Sequence, residues 1–459
     1  MIELFSVAFM RKFLLLILLF CCVGMSGFSQ GRFEIQNRQK TDKVKFKFVN
    51  NLIIIPVDIN GVTLSFLLDT GVSKPIIFNF LNVSDTLKIK NTETIYLRGL
   101  GGGESVEALK SRNNVIKIGD AVKLNQDLYA VYDANLNFAP KLGAPVHGII
   151  GFDIFKDLVV EMNYSGKYLR LTEPDAHHYK NCKKCETFNL EFYNNKPYIN
   201  AHVTVDDEKI PVKLLIDSGG SDALWLFEDK SLGIHSGDIY FNDFLGHGLS
   251  GSVYGKRGKI QSFSLKHFVF KDANVAYPDS SSISHAKVFK DRNGSVSAGI
   301  LKRFNVIMDY NKAIVTFKKN NAFKSKFTYN KSGIELAHDG LKLVKERDNS
   351  MARDGSSFTR SNQSSDSNII VLDKRYKIAL KPSYTIVELR KGSPADLAGL
   401  RIGDDIISIN NKLAYQYSLQ SLMQLFYEDG GYHIKMKVDR DGKSMDFNFI
   451  LEDIFKKKS

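Results

Sequence analysis

The feature that most constrains this chain is an internal duplication. In the first half, Leu52–Ile59 runs into Asn60-Gly61 and then Val62–Leu68. Apolar-rich segments joined by Asn-Gly predict a β-hairpin, and this one delivers Asp69-Thr70-Gly71. In the second half, Pro197–Val205, a turn at Asp206-Asp207 and Ile210–Ile216 deliver Asp217-Ser218-Gly219, with the aspartates 148 residues apart. A glycine-rich turn follows in each half, Gly99–Gly103 and Gly246–Gly251, with the first glycines 147 apart. A third element runs from Gly151 to Tyr164 and again from Gly299 to Tyr310; its glycines are 148 apart and its tyrosines 146, so the alignment needs a two-residue gap. Three elements in one order at nearly constant spacing describe a duplicated lobe. Two such lobes are expected to pair about a pseudo-twofold axis, with Asp69 and Asp217 face to face.

A lone Asp-[Ser/Thr]-Gly is a common turn sequence, because Asp and Gly both suit tight turns. Two copies, each following an apolar hairpin, point instead to chemistry. Carboxylates about 3 Å apart cannot both ionise readily and so share one proton. The ionised member can act as a general base on water while the protonated member donates to a carbonyl oxygen. The apparent pKa values belong to the pair, so neither Asp69 nor Asp217 is assigned the proton.

These residues carry a resemblance. The chain is similar to bilobal aspartic proteases of the pepsin and retropepsin type, closest to the bacterial aspartyl protease family proteins that carry a C-terminal PDZ domain. The lobe resemblance spans roughly residues 45–320 and rests on the Asp-Thr-Gly and Asp-Ser-Gly pair and on Ile149-Ile150-Gly151. The resemblance implies an exported aspartic endopeptidase with Asp69 and Asp217 catalytic. It also implies that Thr70, Gly71, Ser218 and Gly219 support the catalytic loops, and that Ile149–Gly151 packs beneath the loop of its own lobe. The second lobe departs from the pattern, since Ser297-Ala298-Gly299 keeps only the glycine. Pepsins usually place a hydroxyl three residues after each catalytic Asp; here those positions are Val72 and Gly220. Losing a hydrogen bond to the charged form raises a carboxyl pKa, so a mildly acidic to neutral pH optimum is expected.

Residues Gly99, Gly101, Gly102 and Gly103 read as a flap tip or as a merely flexible loop, and Gly246–Gly251 as a possible second flap. No aromatic sits at the first tip; Tyr96 is a weak substitute. Trp225, the only tryptophan, is expected in the core, and His147 and His247 are read as structural. No cofactor or metal is implied.

Arg11 and Lys12, the apolar run Phe13–Met25 and the small residues around Ser26–Ser29 read as a secretory signal peptide, with Met10 a candidate start and cleavage expected near Ser29 or Gln30. That run of about 13 residues is short for a membrane span of roughly 20. Phe20 before Cys21 is too bulky for a lipoprotein signal. The mature protein is therefore expected in the periplasm or outside the cell, without a stable membrane span. Its remaining cysteines, Cys182 and Cys185, are expected to form a local disulfide that stiffens a connector. Hydrophobic residues make up 43% and charged residues 25%, which excludes both a disordered chain and a multi-span membrane protein. The net charge of +13 comes from lysines scattered along the chain, with no basic stripe of the nucleic-acid-binding kind.

After residue 320 the character changes. Residues 346–368 are polar and lack apolar periodicity, and read as a linker or insertion. Gly392-Ser393-Pro394-Ala395, Ala398-Gly399-Leu400 and Gly403-Asp404-Asp405-Ile406 resemble a bacterial PDZ domain over about residues 380–455, with Ser332–Leu336 a candidate first strand. A PDZ domain implies an extended peptide added to a sheet edge, from a substrate or a partner; a spacer that binds nothing tightly is the alternative. The expected architecture is mainly β: signal peptide 1–30, lobes 31–178 and 179–325, and an α+β PDZ unit 326–459. The competing functional readings are a degenerate pepsin-like peptide-binding protein and a single-substrate processing enzyme with an inhibited resting state.

Overall fold

The structure is a computed structural model that describes residues 31–78, 87, 89, 92–133, 136–179, 181–347 and 376–456. The expected signal peptide and most of the polar stretch 346–368 lie outside the described residues. Each half opens with the expected hairpin. Leu52–Ile59 pairs with Val62–Leu68 through a turn at Asn60 and Gly61, and Lys196–Val205 pairs with Glu208–Asp217 through Asp206 and Asp207. All four turn residues have positive φ, from 49° to 89°, the backbone that suits tight two-residue hairpin turns. The first strand is buried on both faces. Ile53, Ile55, Val57 and Ile59 enter the main core, while Leu52 and Ile54 join a smaller cluster with Leu97, Tyr129 and Val146.

The two halves then repeat one topology. In the first, Gly148–Ile150 runs parallel to Val62–Leu68 and antiparallel to Ile76–Ile77. In the second, Arg292–Ser297 runs parallel to Glu208–Asp217 and antiparallel to Leu224–Leu226. Ile150 pairs with Leu68, the residue before Asp69, and Val296 pairs with Ile216, the residue before Asp217. Gly151 therefore corresponds to Ser297, not to Gly299, and the counterpart of Ile149–Gly151 is Ser295-Val296-Ser297. The 146-residue offset holds from here through the one-turn helices Phe152–Phe155 and Ala298–Leu301 to Tyr164 and Tyr310, so no gap falls inside this element. Gly299 answers a different need, since a Cβ there would lie 2.8 Å from the Ala223 Cα.

A six-stranded sheet joins the halves, in the order Cys185–Asn189, Ile314–Lys319, Phe304–Asp309, Val159–Asn163, Tyr168–Thr172, Thr41–Lys45. Its central antiparallel pair sets Val160 opposite Met308 and Met162 opposite Val306, which puts the pseudo-twofold axis between them. One core runs through both halves, from Phe33 to Phe317. Each fully buried Leu, Ile or Phe in it contributes about 1.5–3 kcal/mol. The Cys182–Cys185 disulfide closes the connector at the head of this sheet's edge strand.

The C-terminal unit is a separate sheet of Ile334–Arg347, Tyr376–Leu389, Asp405–Ile409, His433–Arg440 and Lys443–Ile450, with the short Lys412–Leu413 beside it. Its own core includes Ile386, Leu422, Phe426 and Met436. Arg347 pairs with Tyr376, so the chain leaves and rejoins a single hairpin around residues 348–375. The Ser393 hydroxyl accepts a hydrogen bond from the Asp396 amide at 3.3 Å and caps the helix Pro394–Leu397. Gly399 ends that turn at φ +95°. Among the described residues no helix is long and apolar enough to cross a membrane.

Candidate active site

The two Asp-hydroxyl-Gly turns meet at the axis and are tied by a reciprocal set of bonds. The Thr70 amide donates to Ser218 Oγ at 3.0 Å, and the Ser218 amide donates to Thr70 Oγ1 at 3.0 Å. Each hydroxyl also donates across the axis, Thr70 to the Ile216 carbonyl at 2.6 Å and Ser218 to the Leu68 carbonyl at 2.8 Å. Thr70 and Ser218 are fully buried, so all four bonds are shielded from water. The carboxyls are held from below as well. The Gly71 amide donates to Asp69 Oδ1 at 2.7 Å, and the Gly219 and Gly220 amides donate to Asp217 Oδ1 at 3.0 and 3.1 Å. The Asp69 and Asp217 carboxyls lie close together over Gly71 and act on one another electrostatically. A Cβ on Gly71 would lie 3.1 Å from Asp69 Oδ1 and 3.4 Å from Asp217 Oδ1, and one on Gly219 would overlap the Asp69 carboxyl. Glycine at 219 is thus a condition of the two acids lying together, while Gly71 is a close but less strict fit.

Burial, and after it the negative charge of Asp217, push the Asp69 carboxyl up to about 7; the Gly71 amide and the Lys196 cation pull it the other way. The direction matches the one inferred from Val72 and Gly220, but the cause differs. Gly220 supplies its own amide to Asp217, so the second lobe does not lack a donor there. The largest influence on Asp69 is desolvation.

Lys196 is a site residue that motif reading missed. Tyr198 pairs with Leu215, and continuing that register brings Lys196 opposite Asp217, on the same face of the hairpin. Its counterpart in the first lobe, by the same register, is the buried Leu52. Lys196 is held below its ordinary pKa by burial and by Arg292, and it acts electrostatically on both aspartates. The signal was present in the sequence: Asn50-Asn51 and Asn194-Asn195 are matching turns, all four at positive φ, and they align Leu52 with Lys196.

Two hairpins, one from each lobe, reach toward each other. One is Thr92–Leu97 with Val106–Ile118, and the other is Phe241–Gly248 with Gly251–Leu265. Gly99, Gly101, Gly102 and Gly103 lie at the tip of the first, and Leu249 and Ser250 at the tip of the second. The tips are bonded to one another: Gly103 N to Ser250 O at 2.8 Å, Ser250 N to Leu100 O at 2.9 Å, and Gly99 N to Ser250 Oγ at 3.2 Å. Gly101, at φ +118°, donates to Ser282 O at 3.0 Å. The apolar residues of the tips are exchanged. Leu249 packs into a first-lobe cluster, and Leu100 packs, as Trp225 does, against Phe227, Ile283 and Ala286 of the second lobe.

Trp225 is half-buried, packed with Leu100 against this small cluster rather than inside the main core, with its Nε1 donating to Asp222 Oδ2 at 2.8 Å. Tyr96 is 69% exposed and stands on the hairpin arm, not at the tip. His147 Nδ1 accepts the Ser65 amide at 3.1 Å and burial lowers its pKa, in keeping with a structural role. His247 contacts Lys141, and burial together with that cation pushes it down to about 4.

Comparison with known families agrees with this architecture. Residues 55–154 match the family model described as aspartyl protease, and residues 385–440 match a PDZ domain model. The first match holds Asp69 and Ile149–Gly151, while Asp217 lies outside it. A search of curated proteins finds no match. The chain thus combines an aspartyl protease domain with a C-terminal PDZ domain in a mainly β fold.

Proposed function

We propose that the protein is an exported aspartic endopeptidase, with lobes 31–178 and 179–325 forming one active site around Asp69 and Asp217. The observation that carries this reading is the reciprocal Thr70–Ser218 bonding, which holds two carboxyls together on a glycine floor. A peptide bound beneath the two tips presents its carbonyl to the dyad. The ionised carboxylate takes a proton from water as the water oxygen bonds to the carbonyl carbon, and the protonated carboxyl gives its proton to the carbonyl oxygen. As the resulting diol collapses, the dyad's proton passes to the amide nitrogen, the C–N bond breaks, and one diol hydroxyl gives its proton to the ionised carboxylate as it becomes the carbonyl, leaving the dyad with one proton again. Thr70 and Ser218 position the acids; the tips exclude water during the reaction.

A statine-type transition-state mimic tests whether the cleft is competent. Its secondary hydroxyl takes the place of the attacked carbonyl, and Trp225, which shares a cluster with Leu100, reports its arrival. Saturable quenching of Trp225 that is lost in Asp217→Asn supports the reading. Quenching that persists unchanged in Asp69→Asn and Asp217→Asn would assign the cleft to peptide binding without the dyad.

A further inference from the structure

The edge of the PDZ sheet is already occupied by this chain. Among the described residues, strand Ile334–Arg347 is the terminal strand, paired on one side only, with Tyr376–Leu389. PDZ domains use such an edge, with the helix facing it, to hold an extended peptide, and backbone amides to cap its terminal carboxylate. Here the one-turn helix Ala139–Leu142 of the first lobe packs against that strand. Its C-cap, Gly143, sits between the two walls of the groove. A Cβ there would lie 3.0 Å from the Leu419 Cβ on the facing helix and 3.6 Å from His338 Nε2 on the strand.

The amides entering the edge are occupied too. Ser332 N and Gly333 N both donate to Asn330 Oδ1 at 3.1 Å, and Ile334 N donates to Ser332 Oγ at 3.0 Å. Side-chain oxygens of the loop itself thus stand where a peptide carboxylate would be received.

The same face grips the arm of the second hairpin. Arg390 donates to the Asn330 carbonyl at 3.2 Å, lies 4.1 Å from the Phe241 ring centroid and pairs with Asp243 at 4.0 Å. Asp243 also accepts from Arg257 Nε at 2.7 Å, and Arg257 reaches Asp222, the carboxylate that holds the Trp225 indole. Lys141 completes the contact. It stacks 4.8 Å above Phe244, touches His247 and pairs with Glu388 at 4.0 Å. A cavity of about 360 Å³ lies at this junction, lined by Asn330, Glu335, Gln424 and Tyr427 on one side and Asp243 and Arg257 on the other.

We propose that the resident ligand of the PDZ edge is the chain's own segment 139–143 together with the 241–247 arm, so that the PDZ domain clamps the base of the second hairpin and a foreign peptide enters only by displacing them. The clamp itself needs no catalysis; its consequence for turnover rests on the proposed function, in which that hairpin is a flap. Amide hydrogen exchange on the full mature chain tests it without any turnover readout. Lys141→Glu sets a carboxylate against Glu388 and Glu335, and should speed exchange about tenfold or more in segments 334–338 and 241–248 together, leaving Val159–Asn163 and Phe304–Asp309 unchanged. Phe244→Ala should act in the same direction, and Lys141→Arg should restore protection. Loosening of one segment without the other would overturn the clamp. So would a fluorescein-labelled octapeptide pool with free carboxyl ends that binds the parent protein while exchange at 241–248 stays unchanged.

Discussion

Thr70→Val offers a sharp test of the bonding beneath the dyad. Valine fills nearly the same volume, so the fully buried site is not emptied. What disappears is the hydroxyl, which donates to the Ile216 carbonyl at 2.6 Å and accepts the Ser218 amide at 3.0 Å. Losing the donated bond costs about 1 kcal/mol, and stranding the buried Ser218 amide costs roughly 1–3 kcal/mol more. The expected loss of stability is therefore about 2–4 kcal/mol, read by urea unfolding of residues 31–459. Thr70→Ser keeps both bonds and should lose about 1 kcal/mol or less. Peptide cleavage should fall in the valine variant and recover in the serine one, because the two turns are no longer locked. A Thr70→Val protein as stable as its parent would refute the claim that this buried pair holds the lobes in register.

Three further expectations follow from the site. Burial and Asp217 raise Asp69 from its ordinary 3.8 to about 7, so Asp69 contributes stability that is complete below about pH 4 and lost as pH rises through 7. Asp69→Asn should then gain stability relative to the parent between pH 4 and 7, and the alkaline limb of parental activity should fall near neutrality. Lys196→Met removes a cation that lowers the Asp69 pKa, so the alkaline limb of a pH–rate profile should move to higher pH. Gly219→Ala drives a methyl into the Asp69 carboxyl, and a displacement of about 1 Å in a catalytic group costs roughly 100-fold, so kcat should drop at least that far in steady-state assays. Gly71→Ala meets Asp69 Oδ1 only at 3.1 Å and should lose less.

The parts of the fold set by local pattern were readable from the residues. Asn60-Gly61 and Asp206-Asp207 mark turns by their own chemistry, and the duplication brings the aspartates together because symmetry doubles every weak signal. The equivalence of Gly151 was misread for a physical reason. Glycine identity pointed to Gly299, whereas the shared feature is the strand beside each acid, and there the second lobe uses Ser297. Trp225 was expected in the core because apolar content alone does not reveal Leu100 arriving from the other lobe. Lys196 was legible in the matched Asn-Asn turns and the hairpin register, whereas the exchange of tips and the PDZ contacts depend on partners over 100 residues away, as with Lys141 and Glu388, and no window of sequence contains both partners. The electrostatic origin of the raised Asp69 was likewise hidden, since desolvation belongs to the assembled cleft and not to Val72 or Gly220.

The most direct test of the central claim is cleavage of a diverse peptide mixture by residues 31–459 across pH 3 to 8, with Asp69→Asn and Asp217→Asn run in parallel. The account predicts cleavage by the parent protein that falls about 100-fold or more in each variant, the contribution expected of a positioned acid or base. Cleavage that survives both substitutions would contradict the dyad. A folded parent that binds peptides and cuts none of them would make the protein a peptide-binding relative of the proteases it resembles.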